Sequence, residues 1–275
     1  MKRRSLLKAG VMGVAALALG SQSFGAREME KLSRTKQKAL LLSSSRYKDT
    51  DYLTHALPWL KEFVEKNNLS GKKVAFVPYA RVDGRYDLYE ARVANALKSL
   101  GLKIEGLHRS IPDEKILGAD AIMVGGGNTF ELVRQMHERG IMSLIARRVS
   151  EGVPYIGWSA GANVAGATMK TTNDMPIVQP KSFNTLNFFP HQINPHFISG
   201  KVAGHNGESR EERLAEFLLA NPKSVVYALP EGVALLIEGE TLKVLGMNKY
   251  KSLLIFRKGM GRPQSIGIGS QLRFV

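Results

Sequence analysis

Ser159 stands in Gly157-Trp158-Ser159-Ala160-Gly161, the G-x-S-x-G spacing, directly after the apolar run Val153-Pro154-Tyr155-Ile156. That order reads as a strand turning sharply into a helix. A serine at such a turn projects its hydroxyl over the sheet edge, where it can attack a carbonyl carbon, and small neighbours let the backbone bend tightly. The Ala160 N–H then faces the same point and can hold a developing oxyanion. A serine before a helix is also a common cap. Its partners have to decide between the two roles.

A nucleophilic hydroxyl needs a base, and a neutral imidazole can take its proton near pH 7. Of the six histidines, His55 and His137 fall in helix patterns and His108 closes an early strand, so these three read as packing or surface residues. His191, His196 and His205 follow the serine in an irregular stretch, where functional loops concentrate. His196 leads, because in Ile193-Asn194-Pro195-His196-Phe197 the proline restricts the backbone ahead of it. A carboxylate must then hold the ring in the right tautomer. Asp174, Glu208 and Glu231 all remain open; Glu231 follows the apolar run Val225-Val226-Tyr227-Ala228-Leu229 and precedes a glycine, as a strand-end residue would.

Two further stretches could serve such a site. Gly125-Gly126-Gly127 ends a strand and opens a helix, with Asn128 as its cap and Glu131 at the reciprocal capping position. It lacks the Lys-Ser/Thr of a P-loop and the last glycine of the dinucleotide fingerprint. Beside a nucleophile, Gly127 is the natural second oxyanion donor. Ser209-x-x-Glu212 is a capping box that puts Arg210 in the first turn of a helix, where the dipole disfavours a cation. Pairing with Glu208 or Glu211, plain solvation, or an anionic ligand could each answer that conflict.

The elements that must carry these residues alternate. "ALLLSSS" (39–45), "KKVAFVPYA" (72–80), "LKIEGL", "AIMVGGG" and "VPYIGW" read as short buried strands. Helix patterns separate them: Leu53, Ala56, Leu57, Leu60, Phe63 and Val64 at i, i+3, i+4, i+7, then a face marked by Tyr89, Val93, Ala96, Leu97 and Leu100, then Thr129 to Arg139. Trp59 reads as packing. The expected class is α/β, a mostly parallel sheet with helices on both faces. Beyond Ala167 the pattern loosens, before a helix at 210–220 and strands near "SVVYALP" and "VALLIEGETLKVLG".

Residues 1–25 read as an export signal: a basic head, an apolar stretch from Ala9 to Leu19 too short to span a bilayer, and a small-residue end. Arg3-Arg4 followed by Ser5-Leu6-Leu7-Lys8 resembles the twin-arginine type. The expected organisation is that signal, a polar stretch at 26–38 and one α/β domain over 39–275. A periplasmic location follows, with the translocase as a transient partner and no stable membrane association after processing. The formal net charge is +15, and basic residues stay in excess once Lys2, Arg3, Arg4 and Lys8 are set aside. The basic charge is scattered and no nucleic-acid-binding module is recognisable. With no cysteine in the chain, thiol catalysis, thiolate metal sites and disulfides are excluded.

Taken together, "GGGNTFEL", "YIGWSAGANVA", "TTNDMPIV", "INPHF", "GESREER" and "ALPEG", in that order, resemble the peptidase E family of α-aspartyl dipeptidases. The resemblance runs from about Ala39 onward. It implies a fold like that of class I glutamine amidotransferases and a serine hydrolase that removes N-terminal aspartate from Asp-X dipeptides. Under it Ser159 is the nucleophile, His196 the base and Glu231 the third member. Gly127 and Ala160 supply the oxyanion N–H groups, and Arg210 binds the aspartyl carboxylate. No metal or cofactor is required. Two alternatives stand beside it: a cyanophycinase-like exopeptidase on aspartate-rich polymer, and a non-catalytic binder of acidic peptides.

Overall fold

A computed structural model describes residues 35–274 except Ser110, Val202 and His205. The export-signal reading of residues 1–25 and the candidate His205 lie outside the described residues. The first half of the chain alternates strand and helix: β1 (Lys38–Leu42), α1 (Leu57–Lys66), β2 (Lys73–Val77), α2 (Tyr86–Ala96), β3 (Lys103–Gly106), α3 (Pro112–Leu117), β4 (Ala121–Val124), α4 (Thr129–Glu138), α5 (Ile141–Ser150), β5 (Tyr155–Trp158) and the single turn α6 (Ala160–Asn163). After an irregular stretch come β6 (Gln192–Phe197), α7 (Arg210–Ala220), β7 (Val225–Pro230), β8 (Val233–Glu238), β9 (Thr241–Gly246), β10 (Ser252–Arg257), β11 (Gln264–Gly267) and β12 (Gln271–Arg273).

Two sheets result. The larger runs β12-β9-β8-β1-β5-β4-β2-β3, and the smaller runs β11-β10-β7-β6. Strands β1, β5, β4, β2 and β3 pair in parallel, as the helical crossovers between them require. The expectation of a mostly parallel sheet holds for that part. The remaining edge is antiparallel, because Gly239-Glu240 joins β8 to β9 in a two-residue hairpin, with Gly239 at φ +60°.

Strand alternation divides the core. Ala39 and Leu41 of β1, Ala75 and Val77 of β2, and Ile122 and Val124 of β4 pack under α4 and α5 and against the smaller sheet's Ile193, Tyr227 and Leu253. Leu40, Leu42, Val74, Phe76 and Met123 point to the other face, where they meet α1 and α2. The outer face of the smaller sheet is covered by Leu214 and Leu218 of α7, which pack on Phe197, Val226 and Phe256.

Three local readings shift. The helix expected from Leu53 starts four residues later, because Leu53 takes φ +59° and Pro58, in the first turn of α1, needs no N–H partner there. Two helices, not one, join β4 to β5: Gly140, at φ +69°, ends the first, and Ile141, Ile145 and Val149 bury the second. The "INPHF" segment is strand β6 rather than loop. Among the described residues no helix is long and apolar enough to cross a membrane.

Candidate active site

Ser159 lies between β5 and α6 with φ +54° and ψ −116°, a region side chains rarely enter. Its own N–H reaches the carbonyl of Leu42 on β1 at 3.1 Å, and its carbonyl accepts the N–H groups of Ala162 and Asn163, so the turn is held from both sides. Asn163 fixes the far end by donating from Nδ2 to the Ile193 carbonyl of β6 at 2.6 Å. Gly161 is required by close approach, since a Cβ there would lie 2.0 Å from the Val124 carbonyl oxygen. No side-chain cap is made by Ser159, so the capping role weighed for it is not the one its hydroxyl takes.

The hydroxyl instead meets His196. Ser159 Oγ and His196 Nε2 are 2.9 Å apart, and His196 Nδ1 lies 2.8 Å from Glu231 Oε1. With the proton on Nδ1, the ring donates to Glu231 and accepts from the serine hydroxyl. His196 is brought there by a bulge in β6. Opposite β7 the register passes from Asn194↔Ala228 to Phe197↔Pro230, which leaves one extra residue on β6. Pro195 has no N–H to offer a ladder, and His196 itself takes φ +52°.

A buried serine missed in the sequence supports this bulge. Ser43, just past β1, accepts the His196 N–H at 3.0 Å and donates from Oγ to the Leu229 carbonyl at 2.8 Å. One hydroxyl of the larger sheet thus ties two strands of the smaller. Its only sequence sign was a turn-forming serine after an apolar run. Glu231 sits with Gly232 in the two-residue step from β7 to β8, at the point where the chain passes from one sheet to the other.

Of the three acids weighed, Glu231 is the one that reaches His196. Asp174 accepts from the Thr129 N–H at 2.7 Å, from Thr129 Oγ1 at 2.5 Å and from Thr172 Oγ1 at 3.1 Å, at the start of α4. Glu208 faces Arg213 at 3.8 Å. His191 lies elsewhere, with Nε2 2.6 Å from the Phe274 carbonyl and its ring stacked on Tyr227. His55 is buried, in keeping with a packing role.

Ser159 and His196 open on a cleft of about 180 Å³ lined also by Gly126, Gly127, Tyr52, Tyr89, Arg81 and Arg92. Gly127 has φ +141°, and a Cβ on it would come within 2.3 Å of the Ala80 carbonyl oxygen. Ala160 follows the serine at the start of α6, so both expected oxyanion donors border the serine. The glycine run is held by phenols: Tyr89 donates to the Gly126 carbonyl at 2.9 Å and accepts from Tyr52 at 3.1 Å, while Trp158 Nε1 donates to Tyr52 at 2.9 Å. Burial pushes the Tyr89 phenol well up, which keeps its proton available for that bond. Asn128 caps α4 through the Glu131 N–H, but Glu131 turns to Arg134 and Gln135 rather than completing a capping box.

A second cavity, of about 170 Å³, is lined by Arg210, Asn173, Asp174, Asn194, Lys170 and Arg213. Arg210 Nη1 donates to Asn173 Oδ1 at 2.7 Å, and Asn173 Nδ2 in turn donates to the Pro195 carbonyl at 2.7 Å, next to His196. The capping box at Ser209 and Glu212 is complete. Neither acid beside Arg210 takes it up, because Glu208 pairs with Arg213 and Glu211 accepts from Ser199 and Gly200. Burial and Arg213 lower the Arg210 pKa from its usual value, with Asp174 opposing. A half-buried guanidinium that forms no ion pair among the described residues suits a carboxylate ligand.

Residues 39–245 match the pattern of peptidase family S51. Relatives include peptidase E of Actinobacillus pleuropneumoniae serotype 5b (strain L20), 61% identical over 208 residues, covering 75% of this chain and 88% of that protein. Peptidase E of Pasteurella multocida (strain Pm70) is 56% identical over 222 residues, covering 80% and 93%. Among solved structures, a candidate peptidase E of Listeria monocytogenes EGD-e superposes with a TM-score of 0.57 at 26% identity, over 77% of this chain and 99% of its own. A peptidase from an acI-B1 Actinobacterium shares the fold, with a TM-score of 0.60 at 17% identity over 86% and 96%.

Proposed function

The chain belongs to peptidase family S51, and from that premise we propose that it is a serine dipeptidase releasing N-terminal aspartate from Asp-X dipeptides. The observation that carries the reading is the continuous chain from Ser159 Oγ through the His196 ring to Glu231, at 2.9 and 2.8 Å. As the Ser159 oxygen bonds to the substrate carbonyl carbon, its proton passes to His196 Nε2. The oxyanion is held by the N–H groups of Gly127 and Ala160, and Glu231 stabilises the imidazolium. Collapse breaks the C–N bond, and His196 returns its proton to the departing amine. Water then attacks the acyl carbon while giving a proton to the same ring; the bond from that carbon to Ser159 Oγ breaks, and the ring returns the proton to Oγ as the acid leaves. No step calls for a metal or cofactor.

Arg210 gives the reading its substrate. Its guanidinium is half-buried and bound to a neutral amide rather than to a carboxylate, and that amide, Asn173, bonds in turn to the Pro195 carbonyl just before His196. An aspartyl side chain on the acyl side would supply the missing charge. Hydrolysis of Asp-Leu, Asn-Leu and Glu-Leu, with labelling of Ser159 by a serine-reactive phosphonate, tests the proposal. Preferred cleavage of Asp-Leu with labelling is expected. Absence of hydrolysis, or turnover with Ser159 unlabelled, overturns it.

The same reading includes export of a folded precursor through the Arg3-Arg4 pair to the periplasm. Replacing both arginines by lysine is expected to retain the protein in the cytoplasm; undiminished export would remove the twin-arginine route.

A further inference from the structure

An Asp-X dipeptide carries two carboxylates, one on each side of the bond that breaks: the aspartyl side chain on the acyl side and the free terminal carboxylate on the leaving side. The site has arginines on two sides as well. Arg210 lines the cavity shared with Asn173 and Asp174, whereas Arg81 and Arg92 line the cleft onto which Ser159 and Gly127 open. We propose that this second cleft is the subsite for the leaving residue and that Arg92 binds its terminal carboxylate. The inference rests on the aspartyl-dipeptidase reading above and adds to it a reason why dipeptides are the substrates.

The two arginines of the cleft are not equivalent. Arg81 is engaged by Asp83 through both Nε and Nη2, and Asp83 also accepts from Arg85. Arg92, on α2, pairs with no carboxylate among the described residues; its guanidinium lies 5.6 Å from the Tyr52 ring centre. That ring face steadies the cation without neutralising it. Tyr52 is itself fixed by its bonds to Trp158 and Tyr89, and burial raises its pKa, so the phenol stays neutral beside the guanidinium. Arg81, 5.8 Å from the Tyr89 ring centre, lines the same cleft with its charge taken up by Asp83. The result is an uncommitted cation held on a rigid aromatic wall next to the nucleophile.

This arrangement selects chain length. A peptide longer by one residue presents a neutral amide where the dipeptide has its carboxylate, and its terminal charge lies roughly 3.5 Å farther along the extended chain. A charge-assisted contact at an exposed arginine contributes about tenfold in specificity.

The test compares kcat/KM for Asp-Leu and for Asp-leucinamide, which differ only in the terminal charge, in the wild type, Arg92→Gln and Arg92→Lys. Aspartyl p-nitroanilide, which has no leaving-side carboxylate, reports the acyl side separately. The wild type is expected to prefer the free acid by about tenfold, Arg92→Gln to bring the ratio close to one, and Arg92→Lys to keep part of the preference. A wild-type ratio of one, or a preference that survives intact in Arg92→Gln, overturns the subsite while the anilide's hydrolysis leaves the aspartyl reading standing. Failure to cleave any of the three substrates overturns that reading and the subsite with it.

Discussion

The two sheets contribute to the site in opposite ways. The larger supplies Ser159 from the end of β5, where five consecutive residues build the whole turn. The smaller supplies His196 from a bulge and Glu231 from the step that leaves it, 35 residues apart in the chain. Both Ser159 and His196 hold positive φ, at +54° and +52°. Strain of this kind persists only where the surroundings over-determine it. On the serine side those surroundings lie mostly in the same sheet, with the Leu42 carbonyl of β1 and the turn of α6, which Asn163 ties to β6. On the histidine side they are borrowed, chiefly from Ser43 of the other sheet. The serine turn can therefore be recognised as a short motif, while the histidine and glutamate that meet it are assembled from distant parts of the chain.

The strongest test of this contrast is removal of each half in turn. Ser159→Ala is expected to reduce kcat/KM by roughly 10⁴–10⁶-fold with the fold intact, and His196→Ala to do nearly the same. The double variant should be no worse than either single one, because the two act as a unit. His191→Ala should cost far less. Additive losses in the double variant, measured by steady-state kinetics, would separate the halves. Next comes the acyl-side cation: Arg210→Met should lower the Asp-Leu to Asn-Leu specificity ratio by about ten- to a hundredfold, with partial rescue by Arg210→Lys. An unchanged ratio in both variants would return Arg210 to the helix start as a surface residue.

Ser43→Ala sharpens the comparison directly. It strips the His196 N–H and the Leu229 carbonyl of their shared partner in a buried setting, which should cost about 1–3 kcal/mol in denaturant unfolding. Activity should fall as well, since His196 loses its anchor, whereas the Ser159 turn touches nothing that is removed. A variant as stable and active as the parent would show that β6 holds its bulge unaided.

The smallest effect expected is on pH. His55 is packed against Tyr47 and Trp59, and Tyr47 in turn lies against Gly232 beside the carboxylate Glu231. Burial lowers its pKa below 6.5, with the charge of Glu231 opposing. The unfolded chain takes up this proton more readily than the folded one. Stability is therefore unaffected above about pH 6.5 and declines as pH falls below it, toward the folded pKa. His55→Leu should flatten that slope in urea midpoints; an equal slope in both proteins would assign it to other groups.

What the sequence shows follows the same division. The tight turns at Gly127 and at Ser159 are legible because each lies in a run of small residues. The parallel strands were legible because helices of clear period separate them. His196 led only modestly on its proline, and Glu231 stood level with Asp174 and Glu208, since which acid faces a ring depends on how two sheets dock. The hairpin through Gly239-Glu240 carried its direction in a two-residue turn, a signal that was present and went unread. Ser43, Tyr52, Tyr89 and Arg92 had no motif at all: they gather at the site from β1, from the loop before α1 and from α2 through packing alone.

The chain's path in its last third has a consequence for how the protein comes apart. It passes from β7 in the smaller sheet to β8 and β9 in the larger, back to β10 and β11, and returns to the larger with β12. Along the chain, strands of one sheet thus alternate with strands of the other. Melting of the segment from β7 to β10 strips partners from both at once, so neither sheet sheds the other as a detachable lobe, whereas the edge strands β11 and β12 can fray alone. Heating should release Ser159 from β5 and His196 from β6 in one step, and a protease that trims the edge strands should find the rest of the molecule either closed or wholly open.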